Sequence, residues 1–194
     1  MKTSDSDPIR IDEIELERCK IGLSFCPGKY QPNAMSGPWD RSLDKDLAAI
    51  REHGYEAVIS LIYLDSRGRD EFELLKVTDL KDGIVERYGM EWLWIPIVDV
   101  QTPDGTPSEQ RQRLNEILGF LNSGRSVFVH CKGGLGRAGL VTAWALTHFG
   151  RTPEDAIREV RRVRPGSIEN LKQERWVKTN SGLKIMERDK GAKK

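Results

Sequence analysis

The sequence predicts a single α/β domain, with a central, mostly parallel sheet flanked by helices on both faces. Three observations predict it. Apolar runs of strand length, at residues 19–24, 57–62, 91–97 and 126–130, alternate with segments of helical period. The run at 57–62 is apolar without alternation, as in a parallel strand covered on both faces. After residue 130 only helical patterns follow, and no linker or repeat divides the chain.

The elements follow in order. Residues 1–13 are polar and expected to be flexible; the domain is placed at 14–180 and a charged tail at 181–194. A strand at 19–24 leads into a Pro/Gly loop at 26–38. Ser42 caps a helix over 43–53 that ends at Gly54, with Leu43, Leu47 and Ile50 on one face. Beyond the strand at 57–62 come a short helix at 71–77 and another from Thr78 or Asp79 to Gly89. The strand at 91–97 follows. Thr106-Pro107-Ser108-Glu109 is a capping box with proline at the first helical position, and its helix runs to Ser123. The strand at 126–130 feeds a glycine-rich loop and a helix to His148. Thr152 opens a helix to Val163, Arg164-Pro165-Gly166-Ser167 breaks it, and a last helix covers 168–179.

The residues that carry chemistry are His130-Cys131-Lys132-Gly133-Gly134-Leu135-Gly136-Arg137-Ala138. Cysteine and arginine bracket five residues, three of them glycine. A loop closed this tightly turns backbone N–H groups toward one point, and Gly133, Gly134 and Gly136 permit the angles this needs. The positive end of the following helix adds to the field. The cradle suits an anion of phosphate or sulfate type. It favours a cysteine at its floor as thiolate. Arg137, on the far rim, presents a planar fork that suits two oxygens of a phosphoryl group. The implied reaction is phosphomonoester hydrolysis through a cysteinyl-phosphate. His130 points the other way and reads as a loop orienter hydrogen-bonded to backbone.

Other readings of the loop are weaker. A cysteine ending a buried strand can be a small core residue, but the glycines and arginine argue against that here. Gly134-x-Gly136-x-x-Gly139 has the spacing of a dinucleotide fingerprint. That fingerprint needs a second parallel strand ending in an acidic residue about twenty positions on, and Glu159 lies in a helical stretch instead. No Gly-Lys-Ser/Thr follows, which excludes a Walker loop.

Composition bounds the rest. The chain has 194 residues and a net charge of +1, so nothing global draws it to nucleic acid. No apolar run approaches the roughly 18 residues that span a bilayer, so no membrane insertion is expected. The N-terminus lacks the apolar core of a signal peptide. Three cysteines, Cys19, Cys26 and Cys131, form an odd and sparse set that fits a reducing cytosol, and a cytoplasmic location is expected. Cys19 and Cys26 either pack in the core or offer a disulfide partner to oxidised Cys131. The three histidines are scattered, so no metal site is expected. Nothing in the sequence sets an oligomeric state.

The loop resembles the signature of the cysteine-based protein tyrosine phosphatase superfamily, His-Cys-x-x-Gly-x-x-Arg. The resemblance implies Cys131 as nucleophile, Arg137 as phosphate-binding arginine, and His130, Lys132, Gly133, Gly134, Leu135 and Gly136 as the rest of the phosphate loop. The leaving oxygen also needs a proton. In dual-specificity phosphatases the general acid follows a strand as Pro-x-x-Asp, which Pro96-Ile97-Val98-Asp99 matches. Asp104 is the second candidate, and either aspartate can instead be a turn residue. Arg164-Pro165-Gly166-Ser167-Ile168 with Gln173 resembles the family's corresponding segment and implies Gln173 as the amide that positions water; its alternative is a solvated helix residue.

With Ile21 to Lys29 and the Pro96 to Asp104 loop, the resemblance reaches the cyclin-dependent-kinase-associated phosphatase branch, including bacterial relatives, over residues 14–178. It implies the α/β phosphatase domain, a phosphorylated protein or peptide substrate, and no cofactor. The chain departs at Ala138, where many members carry Ser or Thr to stabilise the departing thiolate. Phosphoenzyme breakdown is therefore the step expected to slow. Lys132 supports an alternative, since the phosphoinositide phosphatase branch has two loop lysines; Leu135 replaces the second. A third reading is a phosphate-binding pseudophosphatase, against which Cys131, Arg137 and Asp99 weigh.

Overall fold

The computed structural model describes residues 1–103 and 107–182. Its strands are β1 (Asp12–Glu15), β2 (Lys20–Phe25), β3 (Tyr30–Gln31), β4 (Trp39–Asp40), β5 (Ala57–Ser60), β6 (Glu91–Trp94) and β7 (Val127–Cys131). Its helices are α1 (Leu43–Glu52), α2 (Glu71–Leu74), α3 (Leu80–Asp82), α4 (Pro107–Asn122), α5 (Gly136–Thr147), α6 (Pro153–Val163) and α7 (Leu171–Thr179), and α3 continues into a π-helical turn at Gly83–Arg87. Five strands form one sheet in the order β1-β2-β7-β5-β6. β2, β7, β5 and β6 are parallel, and β1 closes one edge antiparallel to β2. β3 and β4 form a separate ribbon.

The alternation of side chains along β7 divides the core. Val127, Val129 and Cys131 join the apolar layer that contains Leu114, Leu140, Ile157 and Val177 of α4 to α7. Phe128 faces the other layer, with Leu47 and Ile50 of α1 and Leu80 of α3. Helices thus cover both faces, as expected. Local chemistry sets their starts: Ser42 Oγ accepts the Lys45 N–H, and Thr152 Oγ1 accepts the Asp155 N–H beside Pro153.

The structure differs from the sequence reading at several places. Residues 12–15 pair with β2, although only Ile14 of the four is apolar. A charged edge strand hides its pairing from any hydrophobic pattern. The preceding residues are hydrogen-bonded too: the Lys2 N–H donates to Pro38 O, and Arg41 Nη1 donates to Asp7 O. Pairing of the strand expected at 91–97 stops at Trp94, before Pro96. The last helix starts at Leu171, capped by Asn170, rather than at 168. The helix after the loop starts at Gly136, which puts Arg137 in its first turn. Of the expected tail, residues 183–194 lie outside the described residues. Among the described residues no helix is long and apolar enough to cross a membrane.

Candidate active site

Cys131 ends β7, opposite Phe25 of β2, and the chain turns sharply over the end of the sheet. Gly134 makes the turn possible. Its φ is +73°, and a Cβ there would lie 2.3 Å from the Ser24 carbonyl. The Gly134 N–H points back at Cys131 Sγ, 3.2 Å away. Gly136 is needed for closeness rather than angle, since a Cβ would meet Glu169 Oε2 at 2.0 Å. Gly133 has open space beside it and no positive φ, so the expectation that all three glycines serve the backbone angle holds only for Gly134.

The structure buries Arg137 instead of leaving it on a rim; its side chain is 1% exposed. Nη1 and Nη2 form a fork with the two oxygens of Glu71, at 2.5 and 3.0 Å, and Nη1 also donates to Ile97 O at 3.0 Å. Glu71 is itself fully buried at the start of α2, where it also accepts the Tyr63 N–H. Nη2 lies 3.0 Å from Asp99 Oδ1. Among the described residues Arg137 Nε makes no hydrogen bond, so the fork is held on its Nη1 and Nη2 side. Burial works against the charge on this guanidinium, but the hydrogen bonds to Glu71, and then the negative charges of a Cys131 thiolate, Glu71 and Asp99, raise its pKa.

Asp99 leaves the sheet just past β6. Its N–H donates to Leu64 O, and Val100 follows with φ +58°, a costly angle for a β-branched residue. The strained turn is tied down from α7: Asn170 Nδ2 donates to Val100 O at 3.0 Å, and Gln173 Nε2 to Gln101 O at 3.3 Å. Gln173 is fully buried, not a solvated helix residue, and its Oε1 accepts the Glu169 N–H. Its Nε2 would stand 3.0 Å from a Cβ on Gly136. Glu169 lies over the same glycine. Desolvation and then the charge of Asp99 push its carboxyl pKa up. The loop, Asp99 and Gln173 are therefore brought together, whereas Asp104 lies outside the described residues.

His130 is fully buried, and desolvation pushes its pKa down to about 3, so the ring is neutral. Its Nε2 is 2.7 Å from Ser60 Oγ, which accepts the Trp92 Nε1–H at 2.8 Å. That contact is to a side chain, where the sequence reading expected backbone. Nδ1 lies against the Cys131 backbone without a close hydrogen bond. Lys132 is half-buried, and its carbonyl accepts the Cys26 N–H. Ala138 is fully buried in the same layer as Cys131. Cys19 precedes β2 by one residue and Cys131 pairs with its last, so about 20 Å of strand separates them, too far for a disulfide. Cys26 packs in the opposite layer, where burial pushes its thiol pKa up.

Sequence reasoning missed three charged neighbours of the site. Glu71 carries no local signal, being 66 residues from Arg137. Lys29 follows the turn at Pro27 and Gly28 but is buried, its ammonium over the rings of Phe25 and Trp39, and desolvation lowers its pKa to about 8. Cys131 is among the charges acting on it. Arg164 sits in a segment singled out only for Gln173.

Residues 72–177 match a family described as a "Swiss Army Knife" protein, the DSP-PTPase phosphatase domain. The chain is 30% identical over 179 residues to cyclin-dependent kinase inhibitor 3 of Rattus norvegicus, covering 89% of this chain and 79% of that protein. It is 39% identical over 93 residues to protein tyrosine phosphatase type IVA 3 of Mus musculus, covering 48% and 50%. Among solved structures, a kinase associated phosphatase with its catalytic cysteine changed to serine superposes with a TM-score of 0.71 at 28% identity, covering 87% of this chain and 92% of that one.

Proposed function

The chain belongs to the dual-specificity family of cysteine-based protein tyrosine phosphatases, and we propose that it hydrolyses phosphomonoesters on proteins through a cysteinyl-phosphate. The observation that carries this reading is the convergence on one loop of Cys131 Sγ, with a loop amide at 3.2 Å, and Arg137 Nη2, 3.0 Å from Asp99. In the first step the Cys131 thiolate attacks phosphorus. The S–P bond forms as the ester P–O bond breaks, and protonated Asp99 gives its proton to the leaving oxygen. The loop amides and the Nε/Nη2 edge of Arg137 take the equatorial oxygens, where charge builds. Glu71 holds the other edge of the guanidinium, so the fork is oriented before substrate arrives. In the second step Gln173 positions water and Asp99 takes its proton. The water oxygen bonds to phosphorus as the S–P bond breaks, releasing phosphate and regenerating the thiolate.

The test is turnover of an aryl phosphate, with phosphotyrosine peptides, phosphothreonine peptides and inositol phospholipids alongside. Cys131→Ser is expected to abolish turnover, and Asp99→Ala to lower kcat by about 10²–10⁴-fold. A Cys131→Ser protein as active as wild type would exclude the cysteine mechanism. Release of phosphate from the lipids but not the peptides would replace the protein substrate with a lipid, the reading that Lys132 supports. Phosphate binding without turnover of any substrate would make the chain a pseudophosphatase.

A further inference from the structure

The geometry points to Arg164 as a positioning residue of the phosphate loop, one that orients and polarises the Gly133 and Gly134 peptides from behind. This rests on the phosphatase reading above and deepens it. Arg164 is the C-cap of α6, and Pro165 disfavours a helical backbone in the residue before it. Arg164 accordingly has φ −133° and ψ 86°. The chain leaves the helix there, and the guanidinium falls across the loop 30 residues earlier.

All three of its nitrogens are engaged. Nε donates to Gly134 O at 2.5 Å, Nη2 to Gly133 O at 3.2 Å, and Nη1 to Asp12 Oδ2 at 2.6 Å. The Arg164 and Asp12 side chains are only 11% and 10% exposed. Asp12 belongs to the charged edge strand β1, so the strand that hydrophobic patterning overlooks anchors this arginine.

A peptide unit is planar and trans, so a carbonyl and the next N–H point in opposite directions. The Gly133 carbonyl shares its peptide with the Gly134 N–H, the group 3.2 Å from Cys131 Sγ. A cation therefore sits at one end of this dipole and the sulfur at the other. The Gly134 carbonyl likewise shares its peptide with the Leu135 N–H, the next donor of the loop. A charged donor on the oxygen strengthens the N–H as a donor. The first backbone bond of α5 uses Leu135 O, so these two carbonyls precede the helix and Arg164 fills the place of a helical donor. Arg164 thus acts on the sulfur through one peptide, without touching it.

The experiment is alkylation of Cys131 by iodoacetamide on the full chain, mapped by mass, at pH 6 and pH 9. Wild type is compared with Arg164→Met and Arg164→Lys, with melting temperatures recorded. Arg164→Met is expected to slow alkylation at pH 6 by roughly three- to tenfold relative to its rate at pH 9, with Arg164→Lys between it and wild type. A folded Arg164→Met protein with the wild-type ratio would overturn the proposal. If Arg164→Met does not fold, Arg164→Lys decides alone: a ratio lowered about twofold supports the proposal and an unchanged one overturns it. The readout needs no phosphate ester. An inactive wild type would end the phosphatase reading and leave the alkylation comparison standing.

Discussion

Cys131, Arg137 and Ala138 are contiguous in effect, since the loop that joins them is their whole geometry. Their legibility in the sequence follows from that: four residues, 132–135, between β7 and α5 leave few ways for the backbone to run. Ala138 is the informative departure. It is fully buried in the layer that holds Cys131. A hydroxyl there would donate to the sulfur as it leaves phosphorus, and a hydrogen bond to a charged group contributes about 1.5 kcal/mol or more, roughly tenfold in rate. Ala138→Ser is therefore expected to raise steady-state kcat on an aryl phosphate and to shrink the pre-steady-state burst. Stopped-flow traces with unchanged burst and steady rate would count against a slow second step. Asp99 was legible as one of two aspartates in its loop. Its meeting with Arg137 was not, because that distance depends on how the loop after β6 folds back toward β7.

At the scale of elements, β7 places Cys131 and His130 on opposite faces of the sheet. Cys131 faces the α4–α7 layer side, and His130, its neighbour, joins the Ser60 and Trp92 side chains of β5 and β6. The sequence marks His130 as turned away from the loop, but its partner comes from a strand 70 residues away. Burial holds its pKa at about 3, against 6.5 for a free imidazole. The unfolded chain binds a proton at this ring below pH 6.5 and the folded one does not. The contribution is complete above pH 6.5 and is lost as pH falls toward 3. Between pH 6.5 and 5 this removes about 1.6 kcal/mol of stability. His130→Gln is expected to flatten the fall of melting temperature over that interval. Parallel melting curves for the two proteins would show that the imidazole titrates elsewhere.

Across the whole molecule, one buried ion pair joins the two halves of the sequence. Glu71 from α2 and Arg137 from α5 are both essentially unexposed, and nothing near either residue in the chain announces the other. Removing one partner strands a buried charge, which typically costs about 3–5 kcal/mol. Glu71→Ala is expected to lower the denaturation midpoint accordingly and, by releasing the Arg137 fork, to lower turnover as well. An unchanged midpoint would show that Arg137 finds another partner. The layered α/β arrangement, the thiol loop and the caps at Ser42 and Thr152 were readable from the chain, whereas the capping box at Thr106 lies outside the described residues. Each rests on periodicity, turn chemistry or a few consecutive residues, and these act over short separations. The charged partners of the loop were decided only when the sheet assembled in the order β1-β2-β7-β5-β6. That order brings Asp12 with Arg164 to one side of the loop and Glu71 to the other, and such pairings depend on strand register and crossover, which no local pattern encodes.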